Sequence, residues 1–325
     1  MPGGKERALR RQIRSVQSTK KITKAMELIA ASRIVRAQQR VAAARPYSER
    51  ITEVIRNLAA AGAGGGSPLL RDRDEVRRAA YVVVSADRGL CGAYNSSVIR
   101  AAERAMQAEQ AEGRETRLIT VGKKAMAYFR FRGWPIDEAF MGFSEQPAYE
   151  DARLVADYVV TRFLADEYDR VDLVYTQFLS VATQRVTVRR FVPLDAAMLE
   201  QAAAGDGPKA DYEFEPSPQE ILDRLLPRYA EARLYAALLD GAASELAARQ
   251  RAMKSATDNA EELITKYTRA MNRARQDAIT TEIMEIVGGA EALRASASGG
   301  GDLLIDHALM SADVLTSHHL ENSRR

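Results

Sequence analysis

The sequence predicts an α/β chain: a long antiparallel two-helix coiled coil, formed by the N- and C-terminal segments, carrying a central α/β domain. Three observations lead there. From Lys5 to Arg45 there is neither Gly nor Pro. The same holds from Ala242 to Val287. Between them, short β-branched runs alternate with helical patterns, as in a sheet with helices on its faces.

In the first stretch the apolar positions step by threes and fours: Leu9, Ile13 and Val16, then Ile22, Met26 and Ile29, then Ala30, Ile34, Ala37, Val41 and Ala44. That spacing makes an amphipathic helix with a narrow, coiled-coil-like seam. At about 1.5 Å per residue it should run roughly 60 Å. Pro46 removes one backbone donor and should kink it, after which Ile51, Ile55 and Leu58 resume the rhythm. The run AGAGGGSP at 61–68 ends the helix as a flexible linker.

The middle reads as a mostly parallel, Rossmann-like domain. Ala79 to Ala86, AAYVVVSA, is a buried strand, ending in the glycine-rich turn Asp87–Gly92. A helix from about Asn95 to Glu112 follows, with Asn95, Ser96 or Ser97 as its N-cap. Strand Thr116–Val121, helix Lys123–Arg132 and helix Glu150–Asp166 come next. Strands Val171–Ser180 and Gln184–Val192 are too closely spaced for a crossover and should pair antiparallel. Residues 201–216 are rich in Gly and Pro and acidic, a loop.

Ser217 and Glu220 form a capping box around Pro218 at the first helical position. The second long helix follows, with an early kink at Pro227 and roughly 69 Å of unbroken pattern at about 1.5 Å per residue. Its seam includes Leu246, Met253, Ala256, Ala260, Leu263, Tyr267, Ala274, Ile279, Ile283 and Ile286. Gly288 and Gly289 end the strict pattern. The expected organisation is a helix over 1–60, a linker at 61–78, an α/β domain over 79–200, an acidic loop at 201–216, a helix over 217–295 and a disordered tail at 296–325. An Ala-rich seam buries less apolar area per turn than a Leu seam and favours a thin rod.

Composition narrows the chemistry. Cys91 is the only cysteine, and the three histidines, His307, His318 and His319, all lie near the C-terminus. The body therefore offers no disulfide, no Ser-His-Asp or Cys-His engine and no His-ligated zinc. No run of about eighteen apolar residues could span a membrane. The Arg-rich start has no apolar signal core, and a reducing cytoplasm is the simplest compartment. Net charge is +3 overall. Through residue 60, however, fourteen Lys and Arg face only Glu6, Glu27, Glu49 and Glu53, leaving +10. That end should meet an anionic partner, whether nucleic acid, anionic lipid or acidic protein loops.

The turn Asp87–Gly92 sits where a phosphate cradle would, between strand and helix. It lacks the spacing of a dinucleotide fingerprint or a P-loop, so a structural turn or protein contact is the better reading. Cys91 within it, without a histidine partner, reads as a packing residue. The basic N-terminal helix has no interleaved aromatics, which argues against nucleic acid. Arg275, Gln276, Thr280, Glu282 and Glu285 lie within three turns of the second helix. They make no catalytic set but suit a rod gripped by another protein, because an Arg fork takes a carboxylate bidentately and a Gln amide both donates and accepts.

Three blocks of the chain resemble the gamma subunit family of F-type ATP synthases. IRSVQSTKKITKAMELIAASRI at 13–34 is similar to that family's N-terminal helix, SADRGLCGAYN at 85–95 to the motif after its first strand, and Arg251–Ala290 to its C-terminal helix, including ITTEIMEIVGGA at 279–290. Arg far outnumbering Lys, with abundant Ala, suits a bacterial, actinobacterial-like member. The resemblance implies a single-copy shaft, without cofactor or catalytic residues, inside a ring of three alpha and three beta subunits. It places the α/β domain against the epsilon subunit and the c-ring, with membrane association only through the complex, at the cytoplasmic face. By the same resemblance, Lys24, Met26, Arg251, Arg275, Gln276, Thr280 and Glu282 would contact beta and carry torque. Arg88, Gly89, Cys91, Gly92, Tyr212 and Glu215 would face epsilon and the c-ring. The chain lacks the cysteine pair of chloroplast relatives, so redox switching is not expected. A coiled-coil adaptor for nucleic acid or lipid, and a nucleotide-using α/β enzyme, are the competing readings.

Overall fold

The computed structural model describes residues 3–60, 67–194 and 215–321, with side chains for these except 3, 59–60 and 297–321. In chain order the elements are α1 (Gly3–Ala60), β1 (Arg78–Val84), α2 (Tyr94–Ala111), β2 (Glu115–Val121), α3 (Lys123–Phe131), β3 (Glu138–Phe140), α4 (Tyr149–Leu164), β4 (Arg170–Phe178), β5 (Gln184–Val192) and α5 (Pro218–Glu321). They divide into two units, Lys21–Thr257 and Met1–Lys20 with Asp258–Arg325.

The larger unit holds the sheet, in the order β3-β2-β1-β4-β5. β1 pairs parallel with β2 and β4, β2 parallel with β3, and β4 antiparallel with β5. Central strand β1 is buried on both faces, so alternate residues enter opposite cores. Ala79, Tyr81 and Val83 meet Val98, Ala102 and Met106 of α2 and Phe129 of α3. Ala80, Val82 and Val84 enter the larger core with Val155, Val159 and Phe163 of α4. That core also takes Ile51, Ile55 and Leu58 of α1 and Leu222, Leu226, Leu234 and Leu238 of α5. The two long helices thus supply a layer that the sheet needs.

Above this layer the helices pair with each other. Ile34 and Ala37 pack on Ala243, Leu246 and Ala247, and the buried Thr23 and Thr257 hydroxyls meet at 2.8 Å. Numbers rise on one helix as they fall on the other, so the pair is antiparallel, as expected. In the smaller unit Lys20 Nζ and Glu261 Oε1 pair at 3.1 Å, and Ile13, Ala260 and Ala274 are buried.

Several sequence expectations are corrected. Strand β3 was not foreseen, because three residues are too few to show a period of two. The N-cap of α2 is Ala93, with no side-chain cap. Asn95 works instead on the preceding turn, accepting the Ala86 N–H at 2.8 Å. The Ser217 hydroxyl does accept the Glu220 N–H, at 3.3 Å. Helix α5 does not stop at Gly288-Gly289 or at 295 but continues to Glu321, where a tail was expected. A helix-interior Gly costs about 1 kcal/mol relative to Ala, which weakens a helix without terminating it, and no Pro follows.

Candidate functional site: a charged turn and an exposed helix

The carboxyl edge of a parallel sheet is where loops of such folds gather, and here it is pinned by charge. The Asp87 carboxylate accepts the backbone N–H groups of Lys123 at 3.1 Å, Gly142 at 3.0 Å and Ser144 at 3.1 Å, while its own N–H donates to Ser144 Oγ at 2.8 Å. One aspartate therefore joins the ends of β1, β2 and β3. The next residue of the turn, Arg88, reaches Glu145 at 3.1 Å. Glu145 also takes Arg33 of α1 at 2.8 Å and Arg249 of α5 at 3.5 Å. Arg249 continues to Glu245 at 2.5 Å and to the Gly89 carbonyl at 3.4 Å.

Glu245 is only 1% exposed. Burial outweighs the pull of Arg249 and pushes its carboxyl up to about 7, with Glu145 and Asp87 adding to the rise. Burial likewise lifts Asp240 to about 6 against the opposing charge of Arg45, and raises the buried Cys91 thiol, which suits a packing role. A carboxyl with a raised folded-state pKa holds a proton that the unfolded chain gives up sooner. The associated stability is therefore present at low pH and is lost as pH rises from the unfolded value near 4.5 through about 7. Glu245→Gln should flatten this fall, worth roughly 1–3 kcal/mol between pH 5 and 8. Urea midpoints measured across that range test it; parallel curves for the variant and the parent chain would refute it.

The smaller unit presents a different surface. Lys5 of α1 lines the same groove as Arg273 and Asp277, so the partner helix ends near that level. Beyond it Ile279, Ile283, Ile286 and Val287 are all at least half exposed, although three of them were expected in the seam. Among the described residues, nothing from α1 beyond the level of Lys5 covers this stretch of α5. Arg275, Gln276, Thr280 and Glu282 are exposed on the same stretch. The Thr280 hydroxyl donates to the Gln276 carbonyl at 3.0 Å. The side chains of Arg275, Gln276 and Glu282 have no partner among the described residues.

The remaining candidates fall around the turn. Met26, half-buried, lines a cavity of about 290 Å³ with Arg88 and Gly89. Lys24 is exposed and pairs with Glu27 at 3.2 Å. Arg251 is exposed but engaged, donating to the Val181 carbonyl and to Gln184 in the β4–β5 connection. It shares a second cavity with Cys91 and Gly92. Glu215 is exposed, and Tyr212 lies outside the described residues. Arg33, Glu145, Glu245 and Arg249 were missed by sequence reasoning. The only signal was Glu245 and Arg249 four apart in an otherwise apolar run, a spacing that usually marks a solvated pair.

A family model described as ATP synthase matches residues 5–293. The chain is similar to the ATP synthase gamma chain of Parafrankia sp. (strain EAN1pec), 54% identical over 298 residues, which cover 90% of this chain and 99% of that one. It is also similar to the ATP synthase gamma chain of Mycolicibacterium smegmatis, 49% identical over 304 residues, 89% of this chain and 98% of that one. Among solved structures, the rotor of the Euglena gracilis mitochondrial ATP synthase contains a chain with a TM-score of 0.59 at 19% identity, covering 85% of this chain and 99% of that one. A chain of the Tetrahymena thermophila central stalk and c-ring gives 0.54 at 23%, covering 72% and 99%. At such identities the structural likeness is one of fold.

Proposed function

We propose a rotor role from one premise: the chain belongs to the ATP synthase gamma chain family. In this reading it is the central, non-catalytic shaft of the F1 sector. Proton flow turns the c-ring and this chain together, forcing the catalytic beta subunits through different conformations in turn, and ATP hydrolysis drives the reverse rotation. Residues 1–60 and 217–295 are the shaft helices within the ring of three alpha and three beta subunits. Residues 79–200 form the domain beside epsilon and the c-ring. The chain sits in one copy at the cytoplasmic face of a bacterial plasma membrane, peripheral to it.

The observation that supports this best is the unaccompanied stretch of α5. A half-apolar helix face with no cover among the described residues invites a partner surface, and its polar flank is made of Arg275, Gln276, Thr280 and Glu282. Those four, with Lys24, Met26 and Arg251, are proposed to meet beta. The turn Arg88, Gly89, Cys91 and Gly92, with Tyr212 and Glu215, is proposed to face epsilon and the c-ring. Cys91, being buried, serves that surface by packing. Among the fourteen basic residues of α1, Arg10, Lys24, Arg33 and Arg50 pair with Glu6, Glu27, Glu145 and Glu53. Three of those acids already count in its +10, so the excess remains for an acidic partner surface.

Arg275→Ala/Gln276→Ala should still co-purify with alpha and beta while ATP synthesis falls about tenfold, the loss expected when charge-assisted contacts of about 1.5–3 kcal/mol disappear. Normal synthesis by a fully assembled double variant would remove these two residues from the torque contact. Failure of the parent chain to capture alpha and beta would count against the rotor role itself.

A further inference from the structure

Within the Glu145 cluster, Arg88 and Gly89 were assigned by the family resemblance, but Glu145, Arg33, Arg249 and Glu245 were not. Its geometry links four separate segments. Glu145 sits in the loop between β3 and α4 and is mostly buried, with its side chain 20% exposed. It receives Arg33 from α1, Arg88 from the turn after β1 and Arg249 from α5. Arg249, 9% exposed at its side chain, is itself held by Glu245 and by the Gly89 carbonyl. The loop carrying Glu145 is joined to the sheet edge through Asp87, which binds the Gly142 and Ser144 amides.

We propose that Glu145 is a positioning residue that braces the sheet's carboxyl edge against twisting relative to the long-helix pair. This rests on the rotor reading, and the reasoning is mechanical. Within this unit the sheet meets the helix pair in an apolar core where Ile51, Ile55 and Leu58 face Leu222 to Leu238, and further along where Phe178 packs with Leu246 and the Ser244 hydroxyl donates to the Thr176 carbonyl. Apolar contacts are non-directional, and the hydrogen bonds at Ser244 and Arg251 tie the sheet to α5 alone. An attachment at the carboxyl edge, directional and made to both helices at once, adds resistance to rotation. Arg33 and Arg249 provide it, converging on one carboxylate. Single exposed ion pairs contribute little, but a network around a partly buried acceptor is the case in which they matter.

The test uses the assembled membrane complex carrying Glu145→Gln, which keeps size and shape and removes charge. A second variant, Arg33→Gln, alters an exposed side chain and leaves folding intact. ATP hydrolysis and ATP-driven proton pumping are read together at low and at high opposing proton gradient. Assembly and unopposed hydrolysis should match the parent, while protons pumped per ATP fall about threefold or more for Glu145→Gln under opposition, and less for Arg33→Gln. A residue needed only for folding would lower both activities together. Hydrogen exchange on the isolated full chain gives a readout independent of rotation. Amides 86–92 and 142–148 should exchange about tenfold faster in Glu145→Gln, while β1 and β4 stay unchanged. An unchanged pumping ratio under opposition, or unchanged exchange in those two segments, overturns the assignment. A parent complex that hydrolyses ATP without pumping would instead overturn the rotor reading.

Discussion

Gly122→Ala should destabilise the chain by about 2–5 kcal/mol, because two separate penalties fall on one residue. Gly122 joins β2 to α3 with φ +95° and ψ 142°, a conformation that L side chains rarely adopt. A Cβ placed there would lie 2.2 Å from the Ser85 carbonyl oxygen and 2.7 Å from its carbon. The obstacle is backbone at the residue following the central strand, so nothing can swing aside. Ser85 is also committed locally: its N–H donates to the Val121 carbonyl at 2.8 Å, and its hydroxyl accepts the Ala125 N–H at 2.9 Å. Gly113 separates the two penalties. It has φ +80° and nothing within 4 Å of the place a Cβ would take, so Gly113→Ala should cost only about 1–2 kcal/mol for the backbone conformation. Urea midpoints of the two variants, measured side by side, decide the matter. Equal losses at both positions would show that the close approach to Ser85 is unimportant.

Asp87→Ala should cost about 2–4 kcal/mol, since it removes the acceptor of three backbone N–H groups at once. The site is half-buried rather than sealed, so water can replace part of what is lost, which keeps the figure below the sum of three charged hydrogen bonds. Asp87→Asn should fall between. Its amide oxygen can still accept, but its NH₂ group faces a backbone donor that has nowhere to turn. The consequence should also be local. The 142–144 backbone would come free, and with it the loop that presents Glu145 to the three arginines. Hydrogen exchange at Gly142 and Ser144 measures that directly. Parent-like protection of both amides in the alanine variant would contradict the pinning described above.

Asp87 opens the turn read from sequence as a structural turn or protein contact, and Gly122 lies at a strand end the sequence did not single out. The glycine-rich run Asp87–Gly92 stood out as a strand-to-helix turn, and that much was legible. Its partners were not, because Ser144, Glu145, Arg33 and Arg249 are spread over more than two hundred residues and no local pattern ties them together. Asn95 shows the limit in miniature. It sat at an expected cap position, and its side chain turned back to the Ala86 amide instead.

The two long helices, their antiparallel pairing and the alternation of the middle segment were determined by the sequence alone. Each of these rests on short-range periodicity, and a period of 3.6 or 2 needs only neighbouring residues to show itself. The tertiary structure decided where each helix has a partner. Ile34 and Ile279 occupy equivalent seam positions by pattern, yet one is 3% exposed and the other 50%. The reason is cover: among the described residues nothing from α1 lies beyond the level of Asp277, and a stripe is a core only where something covers it. It also decided that Arg33, Arg88 and Arg249 share a single carboxylate, because ion pairs between distant segments depend on how the layers stack and leave no mark in the local pattern.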